Sequence, residues 1–82
     1  MEDFDTRLGQ FFADLGRRVR IARERRGLTQ VEAASAAELT PNVWSKLENG
    51  RFVNPGLRTL ARVAWSWDGS VADLLSEGPR PV

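Results

Sequence analysis

The chain has no cysteine and no histidine. Without thiols there are no disulfides to staple the fold and no thiolate chemistry, and without imidazole the commonest zinc ligand and the usual general base near neutral pH are both missing. No pair of carboxylates is spaced for joint acid-base work, so the expectation is a protein that is not an enzyme and binds no metal and no cofactor. Long apolar runs are absent too, since nothing approaches the roughly 20 residues needed to cross a bilayer. The N-terminus, Met1-Glu2-Asp3-Phe4-Asp5, is acidic and lacks the basic-then-apolar layout of a secretory signal, which makes a soluble, cytoplasmic protein with no membrane partner the simple expectation. Alternating strand patterns, internal repeats and low-complexity blocks do not occur either.

What is present is charge, unevenly spread. The 82 residues suffice for one domain, near the lower end of what folds without disulfides or metal. A net charge of +1 conceals a partition: residues 1–14 carry four acids (Glu2, Asp3, Asp5, Asp14) against Arg7, residues 17–62 carry ten bases against four acids, and residues 68–82 carry three acids against Arg80. A basic centre between acidic ends suits a surface that faces a polyanion, while the plain alternative is a solvated arginine-rich helix face.

Helical periodicity runs through the whole chain. Phe4, Leu8, Phe11, Phe12, Leu15, Val19 and Ala22 recur at steps of three and four, which gives either one long helix or two consecutive ones with a break near Gly9 or Gly16. Gly27 after Arg25-Arg26 reads as a helix stop. Thr29 with Glu32 forms a capping-box pattern that starts a second helix at Gln30, rich in small residues and ending near Ala37-Glu38. Thr40 caps a third helix with Pro41 in its first position, and Gly50 closes it. Asn54-Pro55 repeats the cap-then-proline device before a fourth helix carrying Leu57, Leu60, Val63, Ala64 and Trp67. Ser70 and Asp73 cap a short fifth helix, and the tail from Gly78 to Val82 lacks periodicity. The fold expected is all-α, a compact five-helix bundle.

The stretch "LTPNVWSKLENGR" at 39–51 carries the functional signal. Two short helices joined by about three residues satisfy the geometry of a helix-turn-helix. Val43, Trp44 and Leu47 form an apolar stripe, and Asn42, Ser45, Lys46 and Asn49 lie elsewhere on the surface. A helix of this width fits the major groove of B-DNA, where such side chains can hydrogen-bond base edges.

Several runs together resemble the Xre and Cro/C1 helix-turn-helix family of phage repressor-like and restriction-modification controller-like regulators. They are Arg-x-x-Arg-Gly-Leu-Thr-Gln at 23–30, Leu-Glu-Asn-Gly-Arg at 47–51, Asn54-Pro55, Leu57-x-Thr59-Leu60 and Asp73-Leu74-Leu75. The resemblance covers residues 15–75 and implies a lambda-repressor-like DNA-binding domain over 15–76; residues 1–14 lie outside it as an N-terminal helical extension, and residues 77–82, without periodicity and with two prolines, are expected to be a flexible tail. It places Gln30, with Thr29 beside it, and Thr40, Asn49 and Arg51 against DNA phosphates, and makes Pro41, Asn42 and Lys46 base-reading positions with Val43 and Ser45 at the edge of contact. It also implies a partly buried ion pair between Arg23 and Glu48. Where the family usually has glycine in the turn, this chain has Glu38, which must adopt a left-handed conformation or force a different turn.

The partners expected are double-stranded DNA and a second copy of the chain, with no small-molecule ligand. A lone reading head covers few base pairs, and dimers read paired half-sites. Phe4, Leu8, Phe11 and Phe12 have little core left to enter, so they either fold back as an added helix or pack across a two-fold axis. Trp65, off the stripe of Leu60, Ala64 and Trp67, joins them as an interface candidate. The runner-up function is a protein-interaction module that docks through these aromatic residues.

Overall fold

In the computed structural model, which describes residues 3–51 and 55–76, the first helix starts where Asp3 accepts the Thr6 N–H on its carboxylate at 2.8 Å. This helix, α1 (Phe4–Arg25), is followed by α2 (Gln30–Ala36), α3 (Pro41–Glu48), α4 (Gly56–Ser66) and α5 (Val71–Leu75). No strand occurs among the described residues, and none of their helices is long and apolar enough to cross a membrane.

Of the two arrangements open for the first segment, the chain takes the single helix: α1 runs unbroken through Gly9 and Gly16. Gly16 is kept for close approach. It is buried where α1 passes α3, and a Cβ there would lie 2.5 Å from the carbonyl oxygens of both Leu47 and Glu48. Gly9 has nothing near it and is simply tolerated in an exposed turn.

The remaining helix starts follow their local chemistry. The Thr29 hydroxyl accepts the Glu32 N–H while the Glu32 carboxylate accepts the Thr29 N–H, and Ser70 and Asp73 repeat the exchange at α5. Thr40 caps α3, accepting the Val43 N–H, with Pro41 at its first position. At the fourth start α4 begins at Gly56, with Pro55 beside it in helical geometry. Asn54, the expected cap, lies outside the described residues, as does the tail over 77–82.

Four helix ends close by one device. After α1, α2, α3 and α4 a residue takes left-handed backbone, and the next N–H returns to a carbonyl in the last turn: Leu28 to Arg23, Leu39 to Ala34, Arg51 to Lys46 and Gly69 to Ala64. Glycine supplies that conformation at Gly27 and Gly50, but Glu38 (φ 57°) and Asp68 (φ 56°) supply it at the other two. At Glu38, then, the left-handed alternative is realised, and the turn from α2 to α3 keeps its shape without glycine.

The core gathers one face of every helix: Leu15 and Val19 from α1, Ala33 and Ala34 from α2, Trp44 and Leu47 from α3, Leu60, Val63 and Ala64 from α4, and Leu74 from α5. Alanines on α2 let α3 approach closely. Trp44, fully buried, meets Trp67 edge-on with ring centroids 5.6 Å apart, and the Arg26 guanidinium covers the other ring at 4.6 Å. Arg18 donates to the Leu74 carbonyl at 2.9 Å and so ties α5 onto α1.

Candidate nucleic-acid interface

α3 has two faces because its sequence alternates demands within two turns. Trp44, Leu47 and Glu48 are buried, whereas Pro41, Asn42, Lys46 and Asn49 are exposed. Val43 and Ser45 are half-buried at the boundary, and Asn49 donates to the Ser45 hydroxyl at 3.3 Å. The outward face therefore carries an amide pair, a hydroxyl and one cation.

A single carboxylate locks the inward face. Glu48, 8% exposed, accepts from three helices: Arg23 on α1 donates Nε to Oε2 at 2.5 Å and Nη2 to Oε1 at 3.1 Å, Gln30 on α2 donates Nε2 to Oε1 at 2.9 Å, and Trp44 on α3 itself donates Nε1 to Oε2 at 2.6 Å. Burial pushes the Glu48 carboxyl up, but these hydrogen bonds, Arg23 first, and the arginine charge outweigh it and hold the group below its ordinary range. The same hydrogen bond raises the Arg23 guanidinium. Arg23 also donates to the Leu28 carbonyl at 2.8 Å, so one guanidinium fixes the turn between α1 and α2 as well. Such a group would be costly to bury alone; with four donors every lone-pair direction of the carboxylate is in use.

Arg23 and Glu48, paired by resemblance in the sequence, are thus in contact. The parts that sequence reasoning missed are the Gln30 and Trp44 bonds. A signal existed for Trp44, since a buried indole N–H needs an acceptor and Glu48 lies one helical turn further on. For Gln30 the pattern offered only its place at a helix start. Its amide has two N–H groups, of which one goes to Glu48.

The other expected contact residues lie around α3. Thr29 and Thr40 are exposed with their hydroxyl oxygens accepting helix N–H groups, which leaves each O–H as a donor. Arg51, exposed, follows the left-handed turn at Gly50 and returns its own N–H to Lys46. The interface candidates separate. Phe4, Phe11 and Trp65 are exposed, at 74%, 39% and 70%, whereas Leu8 is half-buried and Phe12 packs against the core.

A pair of short helices in which the second presents an exposed polar face, and is held at a set angle by a buried ion pair, is a helix-turn-helix. The helix-turn-helix domain family matches residues 14–64, well over half of the chain, and the chain belongs to that family. Comparison with curated proteins and with solved structures gives no match.

Proposed function

We propose that this protein is a sequence-specific transcriptional regulator of the Xre and Cro/C1 type, binding operator DNA as a homodimer with α3 in the major groove. The observation that carries the reading is the two-faced α3, polar and exposed at Pro41, Asn42, Lys46 and Asn49 while its other face is pinned by the Glu48 hub. A reading helix must not rotate, because base-edge hydrogen bonds lose their geometry within a fraction of an ångström.

On this reading Asn42 pairs bidentately with adenine and Lys46 donates to guanine O6 and N7, each worth about 1–3 kcal/mol of discrimination. Pro41 offers only apolar contact, as on a thymine methyl, with Val43 and Ser45 at the margin. Phosphates are held by the free hydroxyls of Thr29 and Thr40, the second amide N–H of Gln30, Asn49 and Arg51. No cofactor takes part, and occupancy of the operator is the level at which the protein acts.

The test is selection of bound sequences from a random DNA library, with wild type and Lys46→Ala in parallel at one moderate salt concentration. The expected result is a palindrome for wild type, with preference relaxed at particular positions of each half-site in the variant. Failure of any sequence to enrich would overturn the reading.

The exposure of Phe4, Phe11 and Trp65 supports a second reading, a protein-docking module. Salt separates the two. DNA affinity falls with log salt by about 0.9 per phosphate contacted, whereas apolar docking changes little.

A further inference from the structure

The arginines of α1 divide by what they already hold. Arg17 pairs with Asp14 at 3.2 Å, Arg18 donates to the Leu74 carbonyl, Arg23 belongs to the Glu48 hub, and Arg26, at the helix end, donates to the Ala22 carbonyl and covers Trp67. Arg7, Arg20 and Arg25 are exposed and make no hydrogen bond or ion pair among the described residues.

The end of α3 tells these three apart. Ala13, Gly16, Arg20 and Arg23 follow one another at steps of three, four and three and so form one row along α1. Every other member of the row carries the end of α3. A Cβ on Gly50, in the turn that closes α3, would stand 3.1 Å from the Ala13 Cα, a Cβ on Gly16 would stand 2.5 Å from the Leu47 and Glu48 carbonyl oxygens, and Arg23 donates to the Glu48 carboxylate. Arg20 lies between Gly16 and Arg23 on that side of α1 and is open to solvent. Arg7 and Arg25 each lie nine residues from Gly16, about two and a half turns, which puts them on the opposite side of the helix.

The groups read above as phosphate contacts meet this same row at both ends. Asn49 and Arg51 flank the Gly50 turn seated at Ala13, and Gln30 reaches the carboxylate that Arg23 holds.

We infer that Arg20 grips a DNA phosphate from α1, between the grip of Gln30 and that of Asn49 with Arg51. The inference rests on the DNA-binding reading and adds a contact to it. Within the chain the side chain has no other task. Its neighbours three residues away on either side, Arg17 and Arg23, are both cations, and the exposed Glu24 one turn further on forms no pair with it. Like charges at such spacing oppose the helix, whereas a backbone phosphate at this position balances the charge and gives up its counterion.

The test titrates sheared genomic duplex DNA with wild type, Arg20→Gln and Arg25→Gln over a range of salt concentrations. Both variants lose the same charge from the same helix, so only position separates them. Log affinity should fall linearly with log salt, with equal slopes for wild type and Arg25→Gln, and the slope for Arg20→Gln should be shallower by about 0.9 for each copy bound. Thermal melts should leave Arg20→Gln at or above the wild-type Tm. An equal loss of slope in both variants would overturn the inference, because net charge alone would then explain it. An Arg20→Gln slope matching that of wild type would overturn it too, while the DNA-binding reading stood. So would a lowered Tm in Arg20→Gln, since the charge would then serve the fold. Wild type without salt-dependent affinity for DNA would overturn the DNA-binding reading itself.

Discussion

The two halves of α1 share one periodicity and meet opposite fates. From Leu15 onward the apolar stripe is buried, and Arg23 from the same half reaches the Glu48 hub. From Phe4 to Phe11 the same stripe has only a shallow groove beside it, with Phe4 74% exposed. The two glycines repeat the contrast, Gly16 pressed against the α3 backbone and Gly9 in open space. Periodicity at steps of three and four shows that a helix has a face to bury. It does not say whether the partner for that face lies in the same chain.

The contrast can be broken most forcefully at the hub. Glu48→Gln removes the charge opposite Arg23, whose side chain is only 13% exposed, and should cost about 3–5 kcal/mol in urea unfolding. The pH dependence carries a sign. The folded-state carboxyl lies below its ordinary value of 4.5, so its contribution is fully present above that value and is lost as pH falls through the lower folded one. The gap between wild type and Glu48→Gln should therefore close in acid. A gap unchanged down to the acid unfolding limit would show that the ionised carboxylate is not what holds the hub.

Gly16→Ala comes next. Alanine favours a helix by about 1 kcal/mol over glycine, yet the added methyl would meet two backbone carbonyls that have no room to move aside. Net destabilisation of about 1–3 kcal/mol is expected, which for a domain of this size lowers Tm by roughly 4–8 °C per kcal/mol. The smallest effect has the opposite sign: Gly9→Ala should stabilise by about 0.5–1 kcal/mol, since nothing lies within reach of the new methyl. If thermal melts move the same way for both substitutions, the division of α1 into a built-in half and a held-out half is wrong.

Much of the architecture was legible before any coordinates. The capping boxes at Thr29-Glu32 and Ser70-Asp73, the Thr40-Pro41 start and the stops at Gly27 and Gly50 all stand where the residue types place them. Each is a contact between residues three to five apart, so a short window of sequence contains all of it. The left-handed turn at Glu38 was harder, because an acidic residue in place of glycine left two turns open, and the packing of α2 against α3 selected one. At α4 the Pro55 signal was local too, and the helix starts at Gly56 with Pro55 beside it in helical geometry.

By itself, then, the sequence determined the number of helices, most of their ends and the polar outward face of α3. These are one-dimensional patterns whose energies act within a turn or two of backbone. Only the tertiary structure decided that Gly16 exists for a helix crossing, that Gln30 and Trp44 share the Glu48 carboxylate with Arg23, and that the first turns of α1 and the outer row of α4 are left uncovered. Those outcomes depend on distances between groups far apart in the chain, set by how closely two backbones approach, and no local pattern of residue types encodes such a distance.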